Sequence, residues 1–404
     1  MTNQPRGSVT RRHALAGAAA VAAMPLFAPS IGRAQASGPI RLAGLVSLTG
    51  GGSAFGPNDR MAHQAVIDEV NAAGGIRGQK VEYLAEDDET NPEAGVRAAR
   101  KLIDVDKVSA IMSVWASAVA TAVLPLCWEN QVMMLAIAAA DSIAMLPHQG
   151  YFVRTQPHTE LQGREFANFA IRRGAKHFYV MMPQTPFTDS VMRGIKDLCG
   201  AKGIKVSTVV YDAKKTSFRS EVDDMMRAAP DVLMIGGYQP DDIVLAKDVY
   251  RANYKGTSVG FAYGLTPQFI EGAGKEAAEG LYSIEPIPAA GSSAYARLKT
   301  MLKRDQLDTY VCQAYDHANL AILSLAKAGK SGGTAIRDNV RKITNPEGLK
   351  VDNALDGLKA IAAGKEINYQ GASGPCRFDE HGNIIEVEFR LNQIRDGKIV
   401  EVKS

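Results

Sequence analysis

The chain has few cysteines and, beyond its first segment, no long apolar run. Four cysteines occur among 404 residues, and they lie far apart at positions 127, 199, 312 and 376. This count excludes a small fold that depends on a disulfide framework, although a single disulfide cannot be assigned either way. No stretch after residue 36 approaches the roughly 20 apolar residues of a membrane span, so we expect no transmembrane helix.

A large excess of charge of one sign is also missing. The chain contains 46 basic and 43 acidic side chains, and four of the arginines fall within residues 1–36. The remainder is almost neutral and contains no run of Lys or Arg. This balance predicts neither a nucleic-acid partner nor sustained binding to an anionic membrane.

Motifs typical of enzymes and metal sites are absent or incomplete. The seven histidines never pair at i,i+4 and never reach ligand spacing with a cysteine, so no metal is predicted. Residues 272–277 match a dinucleotide-binding pattern in letters, but they follow a predicted helix rather than a strand. Residues 328–331 resemble the end of a phosphate-binding loop whose first glycine is missing. We expect no cofactor and no catalysis; an exported hydrolase or oxidoreductase is the alternative.

The first 36 residues have the composition of an export signal. Arg11 and Arg12 precede an uncharged stretch over residues 14–31, and Ala34-Gln35-Ala36 follows it. A basic start, an apolar segment too short for a bilayer and small residues at the end predict cleavage after about Ala36. The arginine pair resembles a twin-arginine (Tat) signal, and both Tat and Sec export remain open. The mature protein is expected to be soluble and periplasmic.

After residue 39, short aliphatic runs alternate with longer segments of helical period. This alternation predicts an α/β fold with helices on both faces of parallel sheets. The predicted strands are residues 40–47, 81–85, 108–114, 132–136, 177–183, 204–211, 231–236, 257–263, 384–391 and 398–402. Beyond residue 288 the pattern is mainly helical, and the predicted helices there are residues 293–304, 311–328, 334–343 and 352–363.

Two segments, residues 37–155 and 156–286, each have the pattern of a doubly wound unit. We therefore predict two parallel-sheet lobes joined by a hinge that the chain crosses more than once. The N-terminal lobe is predicted to comprise residues 37–155 plus 287–376, and the C-terminal lobe residues 156–286 plus 377–404.

Helix starts are indicated by capping residues at three places. Asn91 precedes Pro92 and Thr266 precedes Pro267, which in each case places a capping side chain before a proline suited to the first helical position. The segment Thr159-Glu160-Leu161-Gln162 has the spacing of a capping box, in which the first and last side chains bond each other's backbone.

Polar, small and aromatic residues gather where predicted strands end, which is the ligand-binding edge of open parallel sheets. Ser117 follows one such strand, and its hydroxyl and the free N–H groups of the next helical turn can bind a carboxylate. The alternative is that Ser117 only caps the helix. Ala138, Ala139 and Ala140 are small enough to let a ligand approach the backbone. Aromatic walls are available from Phe55, Trp115, Phe187, Tyr238 and Tyr263.

These residues resemble the leucine/isoleucine/valine-binding family of periplasmic solute-binding proteins, which have the type I periplasmic binding protein fold. The resemblance covers nearly all of residues 39–404. The matching motifs, in chain order, are Ser47-Leu48-Thr49-Gly50, Asn71-Ala72-Ala73-Gly74-Gly75, Asp87-Asp88, Gly236-Gly237-Tyr238, Glu279-Gly280 and Ala314-Tyr315-Asp316.

The resemblance implies a role for each candidate site residue. Ser117 and Ala138–Ala140 match positions that bind the ligand carboxylate, and the aromatic residues match positions that border or close over the ligand. Tyr263 stands where amino-acid-binding members typically have an acidic residue for the ammonium group, and Ala140 replaces a hydroxyl-bearing residue. We expect a small carboxylate, either a hydrophobic amino acid or an aromatic or aliphatic acid; Asp141 and Asp189 are the candidates to pair with an amine.

The resemblance also implies a mechanism and partners. Two hinged lobes would close on one solute and deliver it to an ABC permease driven by its ATPase, so the protein would meet the membrane only through the permease. The alternative is a sensor of the same fold that signals to a partner receptor.

Overall fold

The computed structural model describes residues 1, 2, 38–213 and 215–403. Apart from its first two residues, the predicted export signal lies outside the described residues. The strands are β1 (Ile40–Val46), β2 (Val81–Asp87), β3 (Ala110–Val114), β4 (Met133–Ala136), β5 (Phe152–Arg154), β6 (His177–Pro183), β7 (Lys205–Tyr211), β8 (Val232–Ile235), β9 (Thr257–Phe261), β10 (Tyr282–Pro286), β11 (Leu349–Val351), β12 (Ile367–Tyr369), β13 (Phe389–Arg395) and β14 (Lys398–Val402).

Helices separate most of these strands, as the alternating sequence pattern predicts. They are α1 (Gly56–Ala72), α2 (Pro92–Arg100), α3 (Ser117–Glu129), α4 (Asp141–Ala144), α5 (Thr159–Arg172), α6 (Pro186–Ala201), α7 (Arg219–Ala228), α8 (Gln239–Arg251), α9 (Pro267–Ala273), α10 (Lys275–Ala278), α11 (Ser293–Leu302), α12 (Thr309–Ala328), α13 (Gly333–Asn339) and α14 (Ala354–Ala362). None of the helices that the structure describes has both the length and the apolar character of a membrane span.

Two main sheets organise the chain. The first has the order β2-β1-β3-β4-β5 and is parallel throughout. The second has the order β14-β13-β10-β9-β8-β6-β7, with β6 to β10 parallel and β13 and β14 antiparallel at one edge. We call each sheet, with the helices packed on it, the first and the second lobe.

Helices cover both faces of each sheet. In the first lobe, α1, α11 and α12 bury apolar side chains on one face, and α2 and α3 do so on the other. In the second lobe, α5 and α6 cover one face and α7, α8 and α9 cover the other. The two-layer burial explains why strands such as β6 are buried at every residue and read as continuous apolar runs.

The division of the chain between the lobes at residues 155, 286 and 376 stays a prediction. The first sheet takes its strands from residues 40–154, and the second takes its strands from residues 177–286 and 389–402. Gly382, in the segment before β13, accepts a backbone hydrogen bond from the N–H of Arg154 at 2.8 Å. This segment therefore lies against β5.

Two local predictions were wrong. The strand predicted at residues 384–391 is β13 at Phe389–Arg395, and Ile384 forms only an isolated bridge with Phe378. The capping box at Thr159 does not form: His158 is the N-cap of α5, and the Gln162 side chain donates to the carbonyl of Pro157 at 2.7 Å. The caps at Asn91 and Thr266 are confirmed.

Candidate functional site

A cavity lies where the carboxyl ends of the two main sheets face each other. It encloses about 500 Å³ of empty space, part of it open to solvent. Its walls come from the residues that directly follow β3, β4 and β5 in the first lobe and β6, β8 and β9 in the second. The ligand edge of two open parallel sheets therefore forms one shared site.

The start of α3 supplies the main electrostatic feature of the cavity. Ala116 is the N-cap and makes no side-chain capping bond, and the first intrahelical N–H bond of this helix is donated by Ala120. The N–H groups of Ser117, Ala118 and Val119 thus have no protein acceptor among the described residues. Unpaired N–H groups and the positive end of a helix dipole favour a bound anion.

Ser117 does not cap its own helix. Its hydroxyl oxygen accepts the N–H of Ala140 at 3.1 Å, which joins the start of α3 to the loop after β4. The hydroxyl hydrogen is left free to donate to a ligand. Ser117 therefore combines a structural bond with a position on the cavity wall.

The stretch Ala138–Ala140 is buried and held by its backbone. Ala138 donates its N–H to the carbonyl of Val114 at 2.9 Å. Arg154, which is 1% exposed, donates through Nη1 to the carbonyls of Ala139 and Ala140 at 2.7 and 2.8 Å. Burial lowers the pKa of Arg154 to about 10, which still leaves the guanidinium charged at neutral pH. Of the three alanines, Ala139 lines the cavity.

A β-bulge directs the chain into the site. The register of β3 shifts between Met112 and Val114, and Ser113 adopts a left-handed φ of 61°. Its hydroxyl lies 3.0 Å from His63 Nε2 and 3.0 Å from His317 Nδ1. Because bulges re-aim the residues that follow them, this one sets the direction in which Trp115 leaves the sheet.

Aromatic rings from both lobes form the apolar walls. Trp115 lies 5.7 Å from Tyr238, 5.6 Å from Tyr263 and 6.0 Å from Tyr310, measured between ring centroids. Phe187 lies 6.1 Å from Tyr263 on the second-lobe side. Such spacings are those of rings in direct contact, so the rings form one continuous apolar surface against which an apolar or aromatic group can pack.

Phe55 lies at the margin of this aromatic set. It packs against Tyr310 at 4.8 Å and Trp115 at 5.8 Å, but it lines a second, larger space rather than the cavity itself. We call that space the outer groove. It shares Gln156, Gln162, Tyr263 and Tyr310 with the cavity and is otherwise walled by residues of both lobes.

Tyr263 gives the cavity an uncharged wall where the resemblance implied an acid in amino-acid-binding members. Burial, reinforced by the nearby Asp242 carboxyl, raises the pKa of Tyr263 well above its usual value, so the phenol stays neutral. No charged side chain is among the described residues that line the cavity. A ligand ammonium group would therefore meet no carboxylate there.

Neither acid proposed to pair with an amine lines the cavity. Asp141 accepts hydrogen bonds from His158 Nδ1 at 2.8 Å and from the N–H of Glu160 at 2.9 Å. Burial acts to raise the pKa of Asp141, but these bonds and the charge of Arg154 outweigh it and lower the pKa. Asp189 is exposed on α6. Both carboxylates are outside the ligand space.

The two lobes touch across the cleft. The N–H of Asp141 in the first lobe donates to the hydroxyl of Ser190 in the second at 3.1 Å. Gly51 lies directly on the ring of Tyr238: a Cβ at Gly51 would be 2.8 Å from Tyr238 Cγ. These contacts fix the distance between the walls of the cavity.

Sequence reasoning missed four polar lining residues and one aromatic. They are Gln156, Gln162, Thr185, Thr188 and Tyr310. The two glutamines follow β5, a strand too short to be recognised from its sequence. Asp308 caps the start of α12 by accepting the N–H groups of Tyr310 and Val311, which marks a helix start at Tyr310 but not its place in the cavity.

The fold and the cleft define a two-lobed protein with a cavity between the carboxyl ends of two largely parallel sheets. A sequence profile of the family described as periplasmic binding protein matches residues 39–398, and the chain belongs to this family. It is 24% identical over 382 residues to the Leu/Ile/Val-binding protein homolog 3 of Brucella melitensis, with 93% of this chain and 96% of the relative covered.

Solved structures share the fold. The leucine-binding protein LivK of Thermotoga maritima superposes with a TM-score of 0.77 at 22% identity, covering 90% of this chain and 98% of that one. An ABC-transporter solute-binding protein of R. palustris, solved in complex with benzoate, gives a TM-score of 0.72 at 16% identity, covering 90% and 96%. These likenesses confirm the predicted type I periplasmic binding fold, and ligand types differ between the two neighbours.

Proposed function

We propose that this chain is the extracytoplasmic solute-binding component of an ABC importer and that it binds a small carboxylate with an apolar or aromatic body. The observation that carries the proposal is the pairing of free N–H groups at the start of α3 with a cavity whose lining residues are all uncharged. The acid group would accept from Ser117 and the first turn, and the body would pack against Trp115, Tyr238 and Tyr263.

The uncharged cavity favours an amine-free acid over an α-amino acid. A desolvated ammonium group without a partner costs several kcal/mol, enough to remove micromolar binding. A benzoate-type ligand avoids this cost, and its ring matches the aromatic walls. The benzoate complex of the R. palustris neighbour supports this ligand class, whereas the names of the curated relatives favour amino acids.

Calorimetry on the mature protein tests the ligand. We expect benzoate-type acids to bind and leucine to bind at least about 100-fold more weakly, since several kcal/mol separate them. Ser117→Asp places a negative charge at the anion site and should abolish acid binding. Ser293→Asp, at the exposed start of α11, is the matched control and should bind as the unmodified protein does. Tighter binding of leucine than of any amine-free acid would contradict the proposal.

The importer role and export are tested in cells. Deletion of the gene should abolish uptake of the labelled acid, and neighbouring genes should encode permeases and ATPases. Normal uptake combined with a lost sensory response would favour the receptor-linked alternative. N-terminal sequencing of the exported protein should find a start after about Ala36, a position that lies outside the described residues.

A further inference from the structure

Two buried glutamine side chains line the cavity, and each has one amide atom without a hydrogen-bond partner among the described residues. Gln156 and Gln162 are each 4% exposed, and both line the cavity. Two threonine hydroxyls on that wall are already used: the buried Thr188 donates to the carbonyl of Pro183, and the half-buried Thr185 caps α6 by accepting the N–H of Thr188.

The orientation of the Gln162 amide is fixed by its partner. Its Nε2 donates to the carbonyl of Pro157 at 2.7 Å, and a carbonyl can only accept. The Oε1 atom of Gln162 therefore points away from that bond, and no described residue donates to it. This leaves a carbonyl acceptor on a buried side chain of the cavity wall.

Gln156 supplies the complementary group. Gln156 Oε1 lies 2.6 Å from Gln313 Nε2, and in this orientation Gln156 Nε2 is left to donate, with no acceptor among the described residues. Gln313 is itself 1% exposed, so this bond holds the Gln156 amide from the protein side. One unused donor and one unused acceptor thus occur on the same stretch of wall.

The glutamines lie where the cavity opens into the outer groove. Gln156 and Gln162 line both the cavity and the outer groove, whereas Trp115, Ser117 and Ala139 line the cavity alone. A ligand held by its carboxylate at α3 and extending toward the outer groove would reach the glutamines with its opposite end. Unpaired buried polar groups cost free energy, so a ligand that bonds to them is selected over one that does not.

We infer that Gln162 and Gln156 recognise a hydroxyl group at the end of the ligand opposite its carboxylate, which makes the ligand a hydroxylated aromatic or aliphatic acid. The hydroxyl donates to Gln162 Oε1 and accepts from Gln156 Nε2. An ammonium group could also donate to Gln162, but a neutral amide does not compensate its desolvated charge and Gln156 would be left unpaired. This inference rests on the proposed carboxylate-binding function and adds the second end of the ligand.

The test compares benzoate with 4-hydroxybenzoate, and pentanoate with 5-hydroxypentanoate, by calorimetry on the mature protein. We expect the hydroxylated acid of at least one pair to bind about 10- to 100-fold more tightly, the range that one unsatisfied buried polar group gives. Gln162→Met and Gln156→Met should reduce that preference to within about twofold, because the unsubstituted acid no longer leaves a polar group unpaired and should bind at least as tightly as it does to the unmodified protein. A purely structural role would weaken both acids of a pair alike.

Gln306→Met is the matched control, because Gln306 is exposed and lines only the outer groove. It should keep the full preference for the hydroxylated acid. Equal binding of both members of each pair by the unmodified protein would overturn the hydroxyl inference and leave the carboxylate proposal standing. Failure of all four acids to bind would overturn both. A preference that survives in both glutamine variants would also refute the assignment to these residues.

Discussion

Arg154 Nη1 lies 2.7 Å from the carbonyl oxygen of Ala139, inside the first lobe and directly behind the cavity wall. The same guanidinium bonds Ala140 and Asn383, so one buried cation holds the loop after β4 and a late segment of the chain together. The loop is part of the predicted anion site, because the N–H of Ala140 in this loop donates to the hydroxyl oxygen of Ser117. The site therefore depends on a residue that does not line it.

Replacement of this arginine should destabilise the protein and weaken ligand binding together. Arg154→Met removes buried hydrogen bonds to two carbonyls and to Asn383, and we expect a loss of about 1–3 kcal/mol in the free energy of unfolding. Arg154→Lys keeps the charge but has fewer directed donors, so its free energy of unfolding should lie between those of the unmodified protein and Arg154→Met. Urea denaturation followed by circular dichroism measures the effect; unchanged stability in Arg154→Met would contradict this role.

Gly51 should control how closely the lobes approach. Gly51→Ala places a methyl group against the Tyr238 ring, and overpacking of this kind costs about 1–3 kcal/mol, equivalent to about 10- to 100-fold weaker ligand binding. The clash exists only when the lobes touch, so the unfolding free energy without ligand should change little. Gly291→Ala, with open space around the site of the new methyl, is the control. Equal affinities in both variants would rule out the contact as a determinant of closure.

Asp242 should make stability fall with rising pH. Burial raises its pKa to about 8, and its Oδ2 has no hydrogen-bond partner among the described residues. In the unfolded chain this carboxyl ionises near pH 4, whereas in the folded chain it holds its proton to about pH 8. The folded state binds more protons between these values, so its contribution to stability is full below about pH 4 and is lost as pH rises through about 8.

Asp242→Asn removes this titration. The stability of the variant relative to the unmodified protein should improve between pH 5 and pH 8, by up to about 1.4 kcal/mol per pH unit. Urea unfolding at the two pH values gives the difference directly, and other buried acids cancel in the comparison. If the difference in unfolding free energy between the two proteins stays constant with pH, Asp242 does not titrate in this range.

The fold was largely predictable because buried parallel strands have a plain signature. The predicted strand at His177–Pro183 agrees with β6 at both ends, since apolar side chains face both layers of helices. β13 carries the sequence Phe-Arg-Leu-Asn-Gln-Ile-Arg, which has no continuous apolar run. The predicted strand at residues 384–391 began too early because Ile384 and Ile385 are more apolar than the residues of β13.

The site was predictable only where a residue's place in the chain also fixes its place in space. Trp115, Ser117, Phe187, Tyr238 and Tyr263 follow predicted strands and do line the cavity, although their binding roles stay predictions. Tyr310 starts a helix in a later crossing of the chain, and no local pattern indicates that it returns to the cleft. The orientation of Gln162 depends on Pro157, a contact that the capping-box pattern concealed.

The antiparallel edge of the second sheet has a consequence for biosynthesis. β13 and β14 are the last strands of the chain, yet β13 pairs with β10, whose residues precede it by about a hundred positions. The roughly one hundred residues between β10 and β13 must therefore be synthesised before this lobe can complete its hydrogen-bonded ladder. Until then β10 presents an open edge, and the nascent protein depends on protection from aggregation at that strand.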